Sequence, residues 1–196
     1  GSLSVGQTGL GTLLVNSGSI VGTENGRIAS TVGSSGTATI TGSGSTWGNE
    51  LLFVGDQGNG TLLISDGGLV YANDMTIGAE NFSTGLAYVS GEESDLAVYY
   101  DIWVGLHGRG TLEVADGAEV SSVEGKGFIG YHPGSLGTVT VTGEDSSWSL
   151  TSGLTVSFRG MARMLIEDGG TVSNVNSYLG QVPESDGMIT VRGTGS

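Results

Sequence analysis

Carboxylates at repeating positions are the first residues in this chain that could do chemistry. Asp66, Asp116 and Asp168 hold equivalent places in GTLLISDGG, GTLEVADGA and ARMLIEDGG, and Ser17 fills that place in GTLLVNSGS. A stack of carboxylates could take calcium, but a hard cation needs six or more oxygens converging on one point. Asp before Gly is also ordinary turn chemistry, in which Asp bonds its own backbone and Gly supplies the positive φ. The turn reading is adopted, with no metal and no cofactor. Glu92-Glu93, Glu144-Asp145 and Glu167-Asp168 are the paired carboxylates a carbohydrate-cleaving site would draw on. Such a site needs two carboxyl groups flanking one bond, whereas neighbours on a strand point to opposite faces. His107 in LHGRG and His132 in YHPGS are the histidines available as a general base, and no G-x-S-x-G elbow accompanies them. They are read as solvent-facing turn residues. No catalytic residue is assigned.

Aromatic residues are the more informative set. Short strands ending in aliphatic-Gly close at Gly6, Gly33, Gly55, Gly78, Gly105, Gly130 and Gly180, with Ser157 as the exception. Two positions earlier stand Ser4, Thr31, Phe53, Thr76, Trp103, Phe128, Thr155 and Tyr178. Period-two alternation turns Val5, Val32, Val54, Ile77, Val104, Ile129, Val156 and Leu179 inward and that aromatic-rich position outward. An exposed stripe of Phe53, Trp103, Phe128 and Tyr178 is the expected partner-binding face, because exposed apolar patches mark interaction sites. Tyr71, Tyr99 and Tyr100 form a second candidate cluster on a third face. Trp47 and Trp148 share a position filled by Leu96 between them, and an aliphatic substitute predicts a packed core site.

These residues need a scaffold that repeats. A Gly-Thr-like start recurs at Gly11, Gly36, Gly60, Gly85, Gly110, Gly137, Ala162 and Gly187, about every 25 residues. Two and four residues after each start the chain is always apolar, from Leu13 and Val15 to Ile189 and Val191; the residue between them varies. Odd units carry the Asp-Gly turn and even units end in phrases such as ITGSGSTW and VTGEDSSW. Three short strands and three turns per unit, with no 3.6-residue stripe, predict an all-β fold: a parallel β-helix of about eight coils in an alternating two-coil repeat. Right-handed coiling is expected from the hand of parallel crossovers. The loops AENFSTG, YHPGSLG and QVPESDG depart most from the pattern, and lying over one another they would form a ridge.

Composition narrows the function classes. The 196 residues include 38 glycines, 2 prolines and no cysteine, with a formal charge of −14. Six scattered basic residues do not make a phosphate-binding surface, so nucleic acid is excluded. No apolar run reaches the roughly 20 residues of a spanning helix, so no direct membrane insertion is expected. Residues 1–196 are read as a single segment of a longer chain.

The alternation of G-T-L-x-[IV]-x-x-G-G with [IV]-x-G-x-G-S-x-W and L-x-[IV]-G, over essentially the whole chain, resembles the repeats of bacterial autotransporter passenger domains, exported by type V secretion. The resemblance implies display at the bacterial cell surface or release outside it, with a non-enzymatic role in adhesion or host-receptor binding. The partner it implies is a host-cell surface protein or glycan. Self-association through the ends or faces of the β-helix is expected besides, because open ends carry unpaired strand edges that invite stacking between chains. A purely structural stalk is the alternative, and a carbohydrate-active β-helix enzyme a distant one.

Overall fold

The computed structural model describes residues 1–196 as a β-solenoid without helices. Every strand pairing is parallel, in three sheets of eight, eight and seven strands. Each coil contributes one strand to each sheet; in coil 3 these are Leu51–Val54, Asn59–Ser65 and Leu69–Ala72. Seven coils carry all three strands, and coil 8 carries Asn176–Leu179 and Asp186–Arg192. Coils stack at the inter-strand distance, so eight span roughly 38 Å.

The core is a set of ladders running through the coils. In the second sheet Leu13, Ala38, Leu62, Ala87, Leu112, Val139, Met164 and Ile189 are register partners. Val15, Ile40, Ile64, Val89, Val114, Val141, Ile166 and Val191 form the next ladder. Both point inward, as the alternation predicts. Trp47 and Trp148 are fully buried in the third-sheet ladder Val21, Trp47, Val70, Leu96, Val120, Trp148, Val172. Each indole is housed by a glycine across the same coil. A Cβ on Gly26 would come within 2.8 Å of Trp47, and one on Gly127 within 2.9 Å of Trp148. In coils with a smaller third-sheet residue that position is filled, by Leu52, Met75, Ile102 and Leu154. Core volume is thus conserved coil by coil.

The recurring glycines sit against one another. A Cβ on the start residue Gly60 would lie 2.1 Å from the backbone of Gly55, and Gly55 itself has φ +69°. The coil whose start is Ala162 is also a coil whose preceding mark is not Gly but Ser157. The second mark is Ala29 (φ +60°), not Gly33: Val5, Ile28 and Val54 are register partners, so Ile28 and not Val32 points inward. Val32 is 83% exposed at a loop tip. Accordingly Arg27, not Thr31, belongs to the outward ladder with Ser4 and Phe53.

The alternation of coils has a hydrogen-bonded cause. In odd coils the turns at Ser17-Gly18, Asp66-Gly67, Asp116-Gly117 and Asp168-Gly169 have positive φ at both central residues. The Asp therefore shares the left-handed backbone with its Gly. The Asp66 carboxylate accepts from the Thr41 and Ser65 hydroxyls, where bonding to its own backbone was expected. In even coils a serine at the same corner accepts the turn glycine's N–H: Gly18 to Ser45, Gly67 to Ser94, Gly117 to Ser146 and Gly169 to Ser196, at 2.9–3.1 Å. The corner between the first and second sheets alternates likewise. Gly58, Gly108 and Gly160 of odd coils press on Ser34, Ser83 and Ser135 of the preceding even coils.

Candidate binding face on the first sheet

The outward ladder of the first sheet reads Ser4, Arg27, Phe53, Thr76, Trp103, Phe128, Thr155, Tyr178. Four of the predicted aromatics therefore share one face, but two threonines break it into three parts. Thr76 and Thr155 are each only 7% exposed. The expectation of a continuous exposed apolar stripe is corrected accordingly. Phe53, Trp103 and Phe128 are half-buried, and of the four only Tyr178 is largely exposed.

Each part is packed differently. The Arg27 guanidinium lies 4.4 Å from the centre of the Phe53 ring and bonds the buried Asp56 carboxylate. Trp103 and Phe128 stack at 4.0 Å, nearly parallel at 12°. A second ladder that the sequence reading missed runs beside them, formed by the residue immediately after each aliphatic-Gly mark. There Tyr131 meets Trp103 edge-on at 4.8 Å and Phe128 at 5.4 Å, and stacks on Phe158 at 4.8 Å. One position further, His107 and His132 stack at 3.9 Å and 5°. Burial first, then the neighbouring His107 and Arg159, hold His132 below the ordinary imidazole pKa, which favours its uncharged form near neutrality. Tyr131 and Phe158 were legible in principle, because both directly follow a mark already recognised at Gly130 and Ser157.

Past Phe128 the face opens into a groove of about 430 Å³, lined by Phe128, Tyr131, Phe158 and Tyr178 with Lys126, Ser152, Asn176 and Gln181. Thr155 and Gly153 form its floor. No carboxylate lines it, in a chain with 20 acidic residues.

Tyr71 on the third sheet and Tyr99 just past its strand Asp95–Val98 both line a smaller apolar groove of about 210 Å³ with Ala97 and Val123. Tyr100 packs edge-on against Tyr99 at 4.7 Å. The Tyr99 hydroxyl is held by Glu124, which raises its pKa.

The acidic pairs lie elsewhere. Glu93 and Asp145 occupy left-handed turn positions, as does Asp168, while Glu167 accepts from Arg192 Nε at 2.7 Å. All belong to the corner between the second and third sheets, and no group of three or more metal-ligating side chains converges anywhere. The three deviating loops fall in coils 4, 6 and 8. Short odd-coil corners such as Leu106-His107 and Phe158-Arg159 intervene, so they form separate teeth and not the expected ridge. Comparison with protein-family models, curated proteins and solved structures gives no match to this chain.

Proposed function

We propose that this chain is a non-enzymatic binding segment of an exported bacterial surface protein, of the autotransporter passenger kind that its repeats resemble, and that the outer face of the first sheet meets the partner. The observation that carries this reading is the half-open assembly of Trp103, Phe128, Tyr131 and Phe158 on a stiff parallel stack. Large rings held rigid at a surface add contact area with little loss of side-chain entropy on binding. A protein or glycan displayed on a host cell is the partner class.

A structural stalk is the second reading, favoured by one observation: Arg27 covers Phe53 and Trp103 covers Phe128, as they would in a ladder that serves only stacking. Binding of the purified chain to animal epithelial cells separates the two. Wild type should bind, and the Phe53→Ser, Trp103→Ser, Phe128→Ser triple variant should fold by circular dichroism yet lose binding. Equal binding by both, or none by wild type, would favour the stalk.

A further inference from the structure

The groove beyond Phe128 has the dimensions of a missing rung. Phe128, Thr155 and Tyr178 are successive register partners in coils 6, 7 and 8. Two coil rises separate the backbone positions of the flanking aromatics by about 9.6 Å. That is twice the 4.8 Å between the stacked rings of Tyr131 and Phe158 beside them. One face of Phe128 is taken by Trp103, and on its other side Phe128, the short Thr155 side chain and Tyr178 line one groove. One coil rise to each side is the spacing of a stacked ring, so the groove matches a single ring from a ligand in its repeat along the stack.

The chemistry around the slot selects the ring. A flat apolar ring would satisfy Phe128 and Tyr178 but leave Lys126, Ser152, Asn176 and Gln181 unused around its edge. A saturated sugar ring offers polarised C–H groups to the aromatic faces, which carry negative charge, and hydroxyls to the polar rim. Charge is specific too. Of the six basic side chains, Arg27, Arg163 and Arg192 are tied to Asp56, Asp186 and Glu167, whereas Arg109, Lys126 and Arg159 are in no ion pair, and of these three only Lys126 lines the slot. The slot therefore presents an unpaired ammonium and no acid.

We propose that this slot binds one carboxylated pyranose, of the uronic or sialic acid type, between Phe128 and Tyr178 with its carboxylate toward Lys126. This rests on the binding reading above and names its ligand class. Thr155 is then the residue that sets the width of the site.

Trp103 reports on the site directly, because it stacks on Phe128 while Trp47 and Trp148 are buried in the core. Its fluorescence should be titrated with 3′-sialyllactose, a hyaluronan hexasaccharide, lactose and N-acetylphenylalaninamide. A saturable change is expected with one or both acidic sugars, and which one identifies the source of the carboxylate. Lactose should bind at least about tenfold more weakly, as should the acidic sugar to Lys126→Gln, since one charge-assisted contact is lost. Thr155→Phe should fold, fill the slot and abolish binding. Equal binding of lactose, binding of the phenylalanine amide in place of sugars, unchanged affinity in Thr155→Phe, or no response to any probe would each overturn the proposal. Cell binding that persists without any saccharide response would overturn it while leaving the broader binding reading in place.

Discussion

Asp95 shows how a single half-buried group makes this fold respond to pH. Its register partner on one side is Glu119 and on the other Leu69, and one of its carboxylate oxygens is buried without a partner. Burial first, and Glu119 second, push its pKa up to about 6. The folded chain thus holds that proton more tightly than the unfolded chain. Its contribution to stability is present at low pH and is lost as pH rises from about 4 through about 6. A shift of this size corresponds to about 3 kcal/mol for a fully buried group, and to about 1 kcal/mol once the partial solvent access of Asp95 is allowed for. Asp95→Asn should therefore raise the urea midpoint at pH 7.5 and leave it nearly unchanged at pH 4. A midpoint that falls at both pH values would contradict this account. The tryptophans give a second residue-scale test. Gly127→Leu should destabilise by about 3 kcal/mol or more by overpacking the Trp148 ring, and adding Trp148→Val should recover most of the loss. At Phe82 a fully exposed ring sits on left-handed backbone (φ +67°). Phe82→Gly should stabilise by about 1 kcal/mol, read from thermal melts.

At the scale of the element, the corner is the unit that makes odd and even coils different. Ser94→Ala strips the acceptor from the Gly67 amide at a buried corner, and should cost about 1–2 kcal/mol in chemical denaturation. The same substitution at exposed Ser43 should be near neutral. Much of this level was legible in the sequence. Inward alternation at Leu13, Val15 and their counterparts located the second sheet, and Trp47 and Trp148 declared themselves by sharing a place with Leu96. The error at Val32-Gly33 has a physical origin. The mark signals a left-handed backbone position, which glycine favours; here Ala29 adopts that geometry, and Gly33 meets the same need in a neighbouring turn. Pairings through space were harder to read. Nothing local ties Gly26 to Trp47 or Gly127 to Trp148, although both pairs are separated by the same stretch of chain. The Tyr131–Phe158 stack and the slot over Thr155 depend on how adjacent coils superpose, which a list of outward residues conveys only once the register is known.

For the whole molecule, each coil contacts chiefly its neighbours, so stability is close to a sum over interfaces between coils. Excision of Gly60–Arg109 removes one odd and one even coil and preserves the alternation at every corner. Excision of Gly60–Thr84 removes half as much but joins an odd coil's first corner to an even coil's second. The shorter deletion should melt lower than the longer one, despite the larger core it retains. Carboxylates of the turns at Asp66, Glu92, Asp116, Glu144 and Asp168 line one corner of the stack, so salt should raise the melting temperature by relieving their mutual repulsion. The direction of the backbone bonds has a mechanical consequence as well. Ladder bonds in a parallel stack point from coil to coil, along the long axis. Tension between the two ends loads the bonds of the outermost coil as a row to be opened in turn, and spares those deeper in. The chain should therefore yield under a pulling force by paying out one coil at a time, each releasing about 80 Å of slack, so that a molecule rigid under compression behaves as an extensible tether when drawn.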